Sequence, residues 1–170
     1  MNAVPRPVKT FFPQTRLSEL VKRAGGISRD DAVAGALECL ETVRSDCDGE
    51  IRRSMDSIEA IVAASDGKSL HASDMRSILQ LSDQIVTLAG TFGYQALDKV
   101  MRSMCDVTDG LLQARLSDAA PIRVHAQAMR LMAPGSMVLS AGETDKVLSE
   151  LAKILTHYNF GPLSAIDSPE

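Results

Sequence analysis

Aromatic residues are scarce in this sequence, which has no tryptophan, two tyrosines and four phenylalanines among its 170 residues. Hydrophobic residues still make up 45% of the chain, a proportion typical of globular rather than disordered proteins. Alanine, leucine and methionine are plentiful, and they can fill the grooves between packed helices, so that β-branched and aromatic residues are not needed there. The composition therefore predicts an all-α fold, with a core large enough for one domain.

Cysteine is also rare, and the three present, Cys39, Cys47 and Cys105, include no CxxC pair. An odd number at these spacings predicts neither a disulfide framework nor a metal site, and it favours a reducing compartment. We expect Cys105 to be a small buried hydrophobic residue, because it follows an apolar helical stripe. No phosphate-cradling glycine loop follows a strand. We therefore expect no metal and no cofactor.

Long hydrophobic runs and long basic runs are both missing. Residues 1–5 lack the basic-then-apolar layout of a signal peptide, and no apolar run approaches the length needed to cross a bilayer. The net charge is -4, whereas nucleic-acid binding requires a concentrated basic face. These absences predict a cytoplasmic protein that binds neither membrane nor nucleic acid.

Prolines 5, 7 and 13 prevent a helix at the start of the chain, so residues 1–16 are predicted to be an extended arm. We expect a single helical domain at 17–160, followed by a loose tail at 161–170. Helical periodicity and capping patterns at Ser28 and Ser140 predict six or seven helices. The predicted segments are short turns at 17–21, helices at 29–43, 48–64, 72–89 and 94–115, one from Pro121 to 132 and one after Ser140.

The segment 72–89 is apolar apart from a narrow polar strip, formed by Arg76, Gln80, Asp83 and Thr87 at spacings of three or four residues. Such a helix is predicted to be central in the bundle and buried on most sides. We expect it to end near Ala89–Gly90.

The end of this helix carries the motif with most information. Gly90 and Gly93 lie three residues apart, and Phe92 and Tyr94 flank the second glycine. This arrangement resembles the signature helix of histidine-phosphotransfer (Hpt) domains. The resemblance covers about 48–132 and implies an Hpt-like four-helix core with flanking helices. The alternative is that the two glycines only cap a helix and permit tight packing.

The residues that carry Hpt chemistry are different here. Asp83 stands at the position of the phosphoacceptor histidine, Val86 at that of the phosphate-neutralising lysine, and Thr87 at that of the glycine beside the imidazole. An aspartyl acceptor would need Mg²⁺ held by neighbouring carboxylates and a cation for the phosphoryl oxygens. The resemblance therefore implies a non-catalytic pseudo-Hpt module, not an enzyme.

With its segment from Arg16–Leu17 to Gly25–Gly26 and the capped helix that follows, the whole chain is similar to the alphaproteobacterial CheE chemotaxis proteins. This similarity implies a place in two-component signalling, with a response-regulator receiver domain as partner and a chemotaxis kinase as a further candidate. The expected receiver-binding face consists of Arg76, Leu79, Gln80, Asp83, Val86 and Thr87.

Two alternatives remain open at this point. The chain could be a true phosphotransfer or phosphate-sink protein that uses Asp83 or His125, since polar neighbours at 123 and 127 would let His125 face solvent. His71 and His157 are expected at helix ends. The second alternative is a helical adaptor unrelated to phosphorelay, which could dimerise through the apolar side of the Asp83 helix. The methionines at 101, 104, 129 and 132 are expected to fill the core.

Overall fold

The computed structural model describes residues 25–65, 68–136 and 139–160, so the predicted arm 1–16, the turns at 17–21 and the tail 161–170 lie outside it. The described residues form five helices: α1 (Arg29–Ala64), α2 (Ala72–Phe92), α3 (Gln95–Ala114), α4 (Ala120–Leu131) and α5 (Ala141–Tyr158). Within these ranges the only β pairing is an isolated bridge between Ser69 and Asp118. The predicted all-α fold is confirmed.

Helix α1 corrects the prediction of two separate helices at 29–43 and 48–64. The four residues between those segments, 44–47, contain neither glycine nor proline, and nothing in them stops helix propagation. The helix continues through them for 36 residues. Together with the turns outside the description, this fusion reduces the predicted six or seven helices to five in the described part.

The chain divides into two compact units, Met1–Thr42 and Val43–Glu170. In the first unit, α1 begins after Ser28, whose Oγ accepts a hydrogen bond from the backbone N–H of Asp31 at 3.1 Å and donates one to its carboxylate at 2.7 Å. The predicted cap at Ser28 is confirmed. Every residue from Gly25 to Thr42 is exposed.

The second unit contains the core, and α3 packs against α2, α4 and α5. Spacings of three and four residues bring one apolar face of α3 inward. Its fully buried apolar residues are Leu97, Val100, Met101, Met104, Val107 and Leu111. Met129 of α4 is fully buried too and Met132 partly, so the methionines fill the core as expected. Helix α3, not α2, is the most enclosed element.

Polar contacts fix the ends and outer faces of α4 and α5. Arg130 of α4 donates to Glu59 at 2.7 Å and to Asp56 at 2.9 Å, both on α1. At the start of α5, Ser140 and Glu143 form the predicted capping box. None of the described helices is long and apolar enough to cross a membrane.

Candidate protein-interaction face of helix α2

Helix α2 has one buried face and one exposed face, so the prediction that it is buried on most sides was wrong. Spacings of three and four residues place a continuous row against the core: Met75, Ile78, Ser82, Ile85, Ala89 and Phe92. The helix lies on the surface of the unit, since only α3 covers it broadly. Half of its circumference is therefore free to meet solvent or a partner.

The exposed face carries the four polar residues that the sequence placed on one strip, and all four are exposed: Arg76, Gln80, Asp83 and Thr87. We refer to them as the α2 strip. The strip has an apolar edge, where Leu79 and Val86 are half-buried, and a polar edge that includes the exposed Gln84. Val86 packs against the core. Protein-binding surfaces combine apolar side chains with polar groups at the rim, and the strip with its apolar edge offers both.

Gly93, not Gly90, ends α2. Gly93 adopts the left-handed conformation at φ 79°, and its N–H donates to the carbonyl of Ala89. Gly90 lies within the helix, and an added Cβ there would meet only Asp98 Oδ1 at an ordinary 3.9 Å. The prediction that the helix ends near Ala89–Gly90 was short by three residues, because a glycine stops a helix only where a positive φ is adopted.

The two aromatic residues of the motif anchor this end of α2 to α1. The guanidinium of Arg44 lies 5.2 Å from the centre of the Phe92 ring and donates to the Phe92 carbonyl at 3.2 Å. A cation suits the carbonyl end of a helix. The Tyr94 hydroxyl donates to Asp48 at 2.7 Å, and burial together with this carboxylate raises the pKa of Tyr94. The glycine–aromatic motif therefore has a structural role.

Asp83 lies at the middle of the strip, close to Cys105 of α3. Burial, and next the negative charge of Asp83, raise the pKa of the Cys105 thiol to about 12. Cys105 is only partly buried, which corrects the expectation of a buried residue. Within the described ranges Asp83 forms no ion pair, and no group of three or more His, Cys, Asp and Glu side chains is placed to hold a metal ion. Among the described residues, therefore, no cationic side chain is paired with the Asp83 carboxylate.

The neighbouring Thr87 directs its hydroxyl to the helix backbone. Its Oγ1 donates to the carbonyl of Asp83 at 3.0 Å, four residues earlier. The hydroxyl proton is therefore satisfied within the helix.

The beginning of α2 is more basic than its middle. Arg76 and Arg115 lie at a surface cavity of about 460 Å³ with His71, the residue that precedes the helix. The cavity floor includes Leu70 and Met75, which are almost fully buried. A partner that meets the α2 strip would therefore meet positive charge at one end and the Asp83 carboxylate further along.

His125 is fully buried in α4, and the expectation that it could face solvent was wrong. Its Nδ1 lies 2.8 Å from the carbonyl oxygen of Pro121, which can only accept, so Nδ1 carries the proton. Nε2 lies 2.9 Å from Ser103 Oγ and accepts from that hydroxyl. Burial lowers the pKa of His125, opposed by the Pro121 hydrogen bond. Both ring nitrogens are occupied in a neutral, enclosed imidazole, which cannot meet an incoming phosphoryl group.

The other two histidines lie where the sequence placed them. His71 is the exposed residue before α2, and His157 is exposed in the last turn of α5, edge-on to Tyr158. Both have a helix-end role, and neither lies on the α2 strip.

The sequence interpretation missed one contact that shapes the other side of α3. The Phe160 ring lies directly on Gly110, where an added Cβ would come within 2.5 Å of ring carbons. Tyr158 stacks on Phe160 with ring centres 5.4 Å apart and donates to Asp118. The only sequence signal was the glycine itself, in the middle of a strongly periodic helix.

Comparison of the chain with protein-family models, with curated proteins and with solved structures finds no match. The candidate site therefore depends on its own geometry.

Proposed function

We propose that this protein is a non-catalytic pseudo-Hpt module that binds the receiver domain of a response regulator through the α2 strip and its apolar edge. The observation that carries the proposal is the exposed α2 face, with Asp83 at its centre and Leu79 and Val86 beside it. The resemblance of residues 81–94 to the Hpt signature supplies the class of partner. This chain has Asp83 in place of the acceptor histidine and Val86 in place of the lysine, and the Thr87 hydroxyl is hydrogen-bonded within the helix. These differences support binding without phosphotransfer.

Phosphotransfer through another acceptor has less support. His125 is enclosed with both nitrogens occupied. In the part of the chain that the structure describes, Asp83 is paired with no cation and belongs to no metal-holding group of carboxylates, which an aspartyl acceptor uses. We expect no stable phosphoryl group on this chain after incubation with a radiolabelled chemotaxis kinase or receiver. Label on the chain that is lost in Asp83→Ala or His125→Ala would contradict the non-catalytic assignment.

The binding proposal is tested by calorimetric titration of receiver domains against matched variants. Leu79→Asp should lower the affinity by about tenfold or more, because it places a charge at the apolar edge of the interface. Gln84→Asp adds the same charge on the polar edge, where it buries no charge at the apolar contact, and should lower the affinity much less than Leu79→Asp. Val86 packs on the core, so Val86→Asp is informative only if circular dichroism shows an unchanged fold. Equal loss in Leu79→Asp and Gln84→Asp would point to a general charge effect.

The charge of the strip also sets the direction of regulation. The phosphoacceptor pocket of a receiver is acidic, and phosphorylation adds further negative charge. Because Asp83 repels that charge, the unphosphorylated receiver should bind more tightly. Asp83→Asn should strengthen binding to both forms and reduce the difference between them.

A further inference from the structure

The amino-terminal part of α1 exposes an apolar row that no described residue covers. Val33 is 51% exposed, Leu37 58% and Leu40 39%. Their spacing of four and three residues repeats that of Ile51, Met55 and Ile58, which are fully buried in the second unit. We propose that this row, the α1 stripe, binds an amphipathic helix of another protein that carries lysine or arginine along one edge.

The spacing and the neighbouring residues favour a helix as the occupant. Apolar residues four and three apart form the seam of a two-helix contact, into which the side chains of a partner helix insert. Small residues border the stripe, Ala34 on one side and Ala36 on the other, and they allow the partner backbone to approach closely. A strand or an extended peptide would match neither the helical curvature nor this spacing.

The charges beside the stripe specify a basic partner. Residues 29–42 contain one arginine and four carboxylates. By helical spacing Asp30 and Glu38 lie on the same side of the stripe, with Asp30 at its border. A lysine or arginine on the facing edge of a partner helix would complement these carboxylates and accelerate association.

A second copy of the chain fits this surface less well. An antiparallel pair of α1 stripes would bring the two acidic edges together, and like charges at facing edge positions destabilise a helix pair. A parallel pair would place Asp30 opposite its own counterpart one turn before Val33, in the seam. The stripe therefore selects a partner of opposite charge.

The test uses synthetic peptides and the full chain. The probe is a fluorescent amphipathic peptide of about three heptads, with leucine at the seam positions and lysine along the edges; its matched control has glutamate in place of every lysine. We expect the basic peptide to bind, and the glutamate peptide to bind at least about tenfold more weakly. Leu37→Asp in the protein should weaken binding of the basic peptide by a similar factor, and added salt should weaken it further.

Leu131→Asp is the control variant, because Leu131 is 50% exposed on α4 and lies outside the stripe. This variant should bind the basic peptide with unchanged affinity. Equal affinity for both peptides, or binding insensitive to Leu37→Asp, would overturn the proposal. Sedimentation that shows a dimer abolished by Leu37→Asp would assign the stripe to a second copy. Tighter peptide binding by Lys22→Glu/Arg23→Glu would assign it to the basic amino-terminal segment of the same chain.

Discussion

Replacing Gly110 by alanine would place a methyl group where the Phe160 ring lies. The added Cβ would come within 2.5 Å of two ring carbons and 2.9 Å of a third, distances that real Cβ atoms essentially never show. The backbone of α3 is fixed by the core residues on either side of Gly110, Val107 and Leu111, which are fully buried. The ring must therefore move away.

The size of the effect follows from two opposing contributions. Alanine in a helix interior is more stable than glycine by about 1 kcal/mol. Phe160 is half-buried, so its displacement should cost about half of the 1.5 to 3 kcal/mol of a fully buried apolar side chain. In the natural chain these contributions nearly cancel, with an expected change of less than about 1 kcal/mol. In a Phe160→Ala background only the helix gain remains, and Gly110→Ala should stabilise by about 1 kcal/mol.

This coupling is measured by urea unfolding, followed by circular dichroism. The natural chain, Gly110→Ala, Phe160→Ala and the double variant are compared. The expected coupling free energy is about 0.8 to 1.5 kcal/mol, with Gly110→Ala more favourable when Phe160 is absent. An equal stabilisation by Gly110→Ala in both backgrounds would show that the ring does not lie on Gly110.

Three further predictions concern the second unit and the thiols. Gly90→Ala should stabilise by up to about 1 kcal/mol and Gly93→Ala should destabilise by about as much, since only Gly93 has a positive φ; equal effects in thermal unfolding would refute this assignment. Burial holds the pKa of His125 below its ordinary 6.5, so the free energy of unfolding should be at its full value above pH 6.5 and fall as the pH drops toward the folded-state pKa. His125→Gln should flatten this dependence, and an unchanged fall in the free energy of unfolding at acid pH would contradict the prediction. At pH 8 a maleimide should label Cys39 much faster than Cys105, whose pKa is about 12; comparable rates by peptide mass spectrometry would be inconsistent with the partial burial.

The helices could be predicted from the sequence because their apolar spacing is strong and their caps are local. The polar strip of α2 has four residues at helical spacing, and that pattern alone places them on one face. The Ser140–Glu143 capping box is a local signature too. Such features depend on neighbours within one or two turns, which the sequence displays directly.

What could not be predicted depends on residues distant in the sequence. The end of α2 at Gly93 instead of Gly90 depends on a positive φ and on the docking of Phe92 and Tyr94 on α1. Their partners on α1, Arg44 and Asp48, are more than 40 residues away in the sequence. The polar neighbours of His125 at 123 and 127 favour exposure. His125 also lies three residues after Ile122 and four before Met129, on the apolar stripe of α4, and this spacing would have indicated burial.

The most direct test of the central claim is an NMR titration of the ¹⁵N-labelled chain with an unphosphorylated receiver domain. We expect backbone shifts to concentrate on α2 around Asp83 and Leu79, to weaken when the receiver is phosphorylated, and to be lost in Leu79→Asp. Shifts confined to other helices, or no shifts with any receiver domain, would contradict a receiver-binding function for the α2 strip.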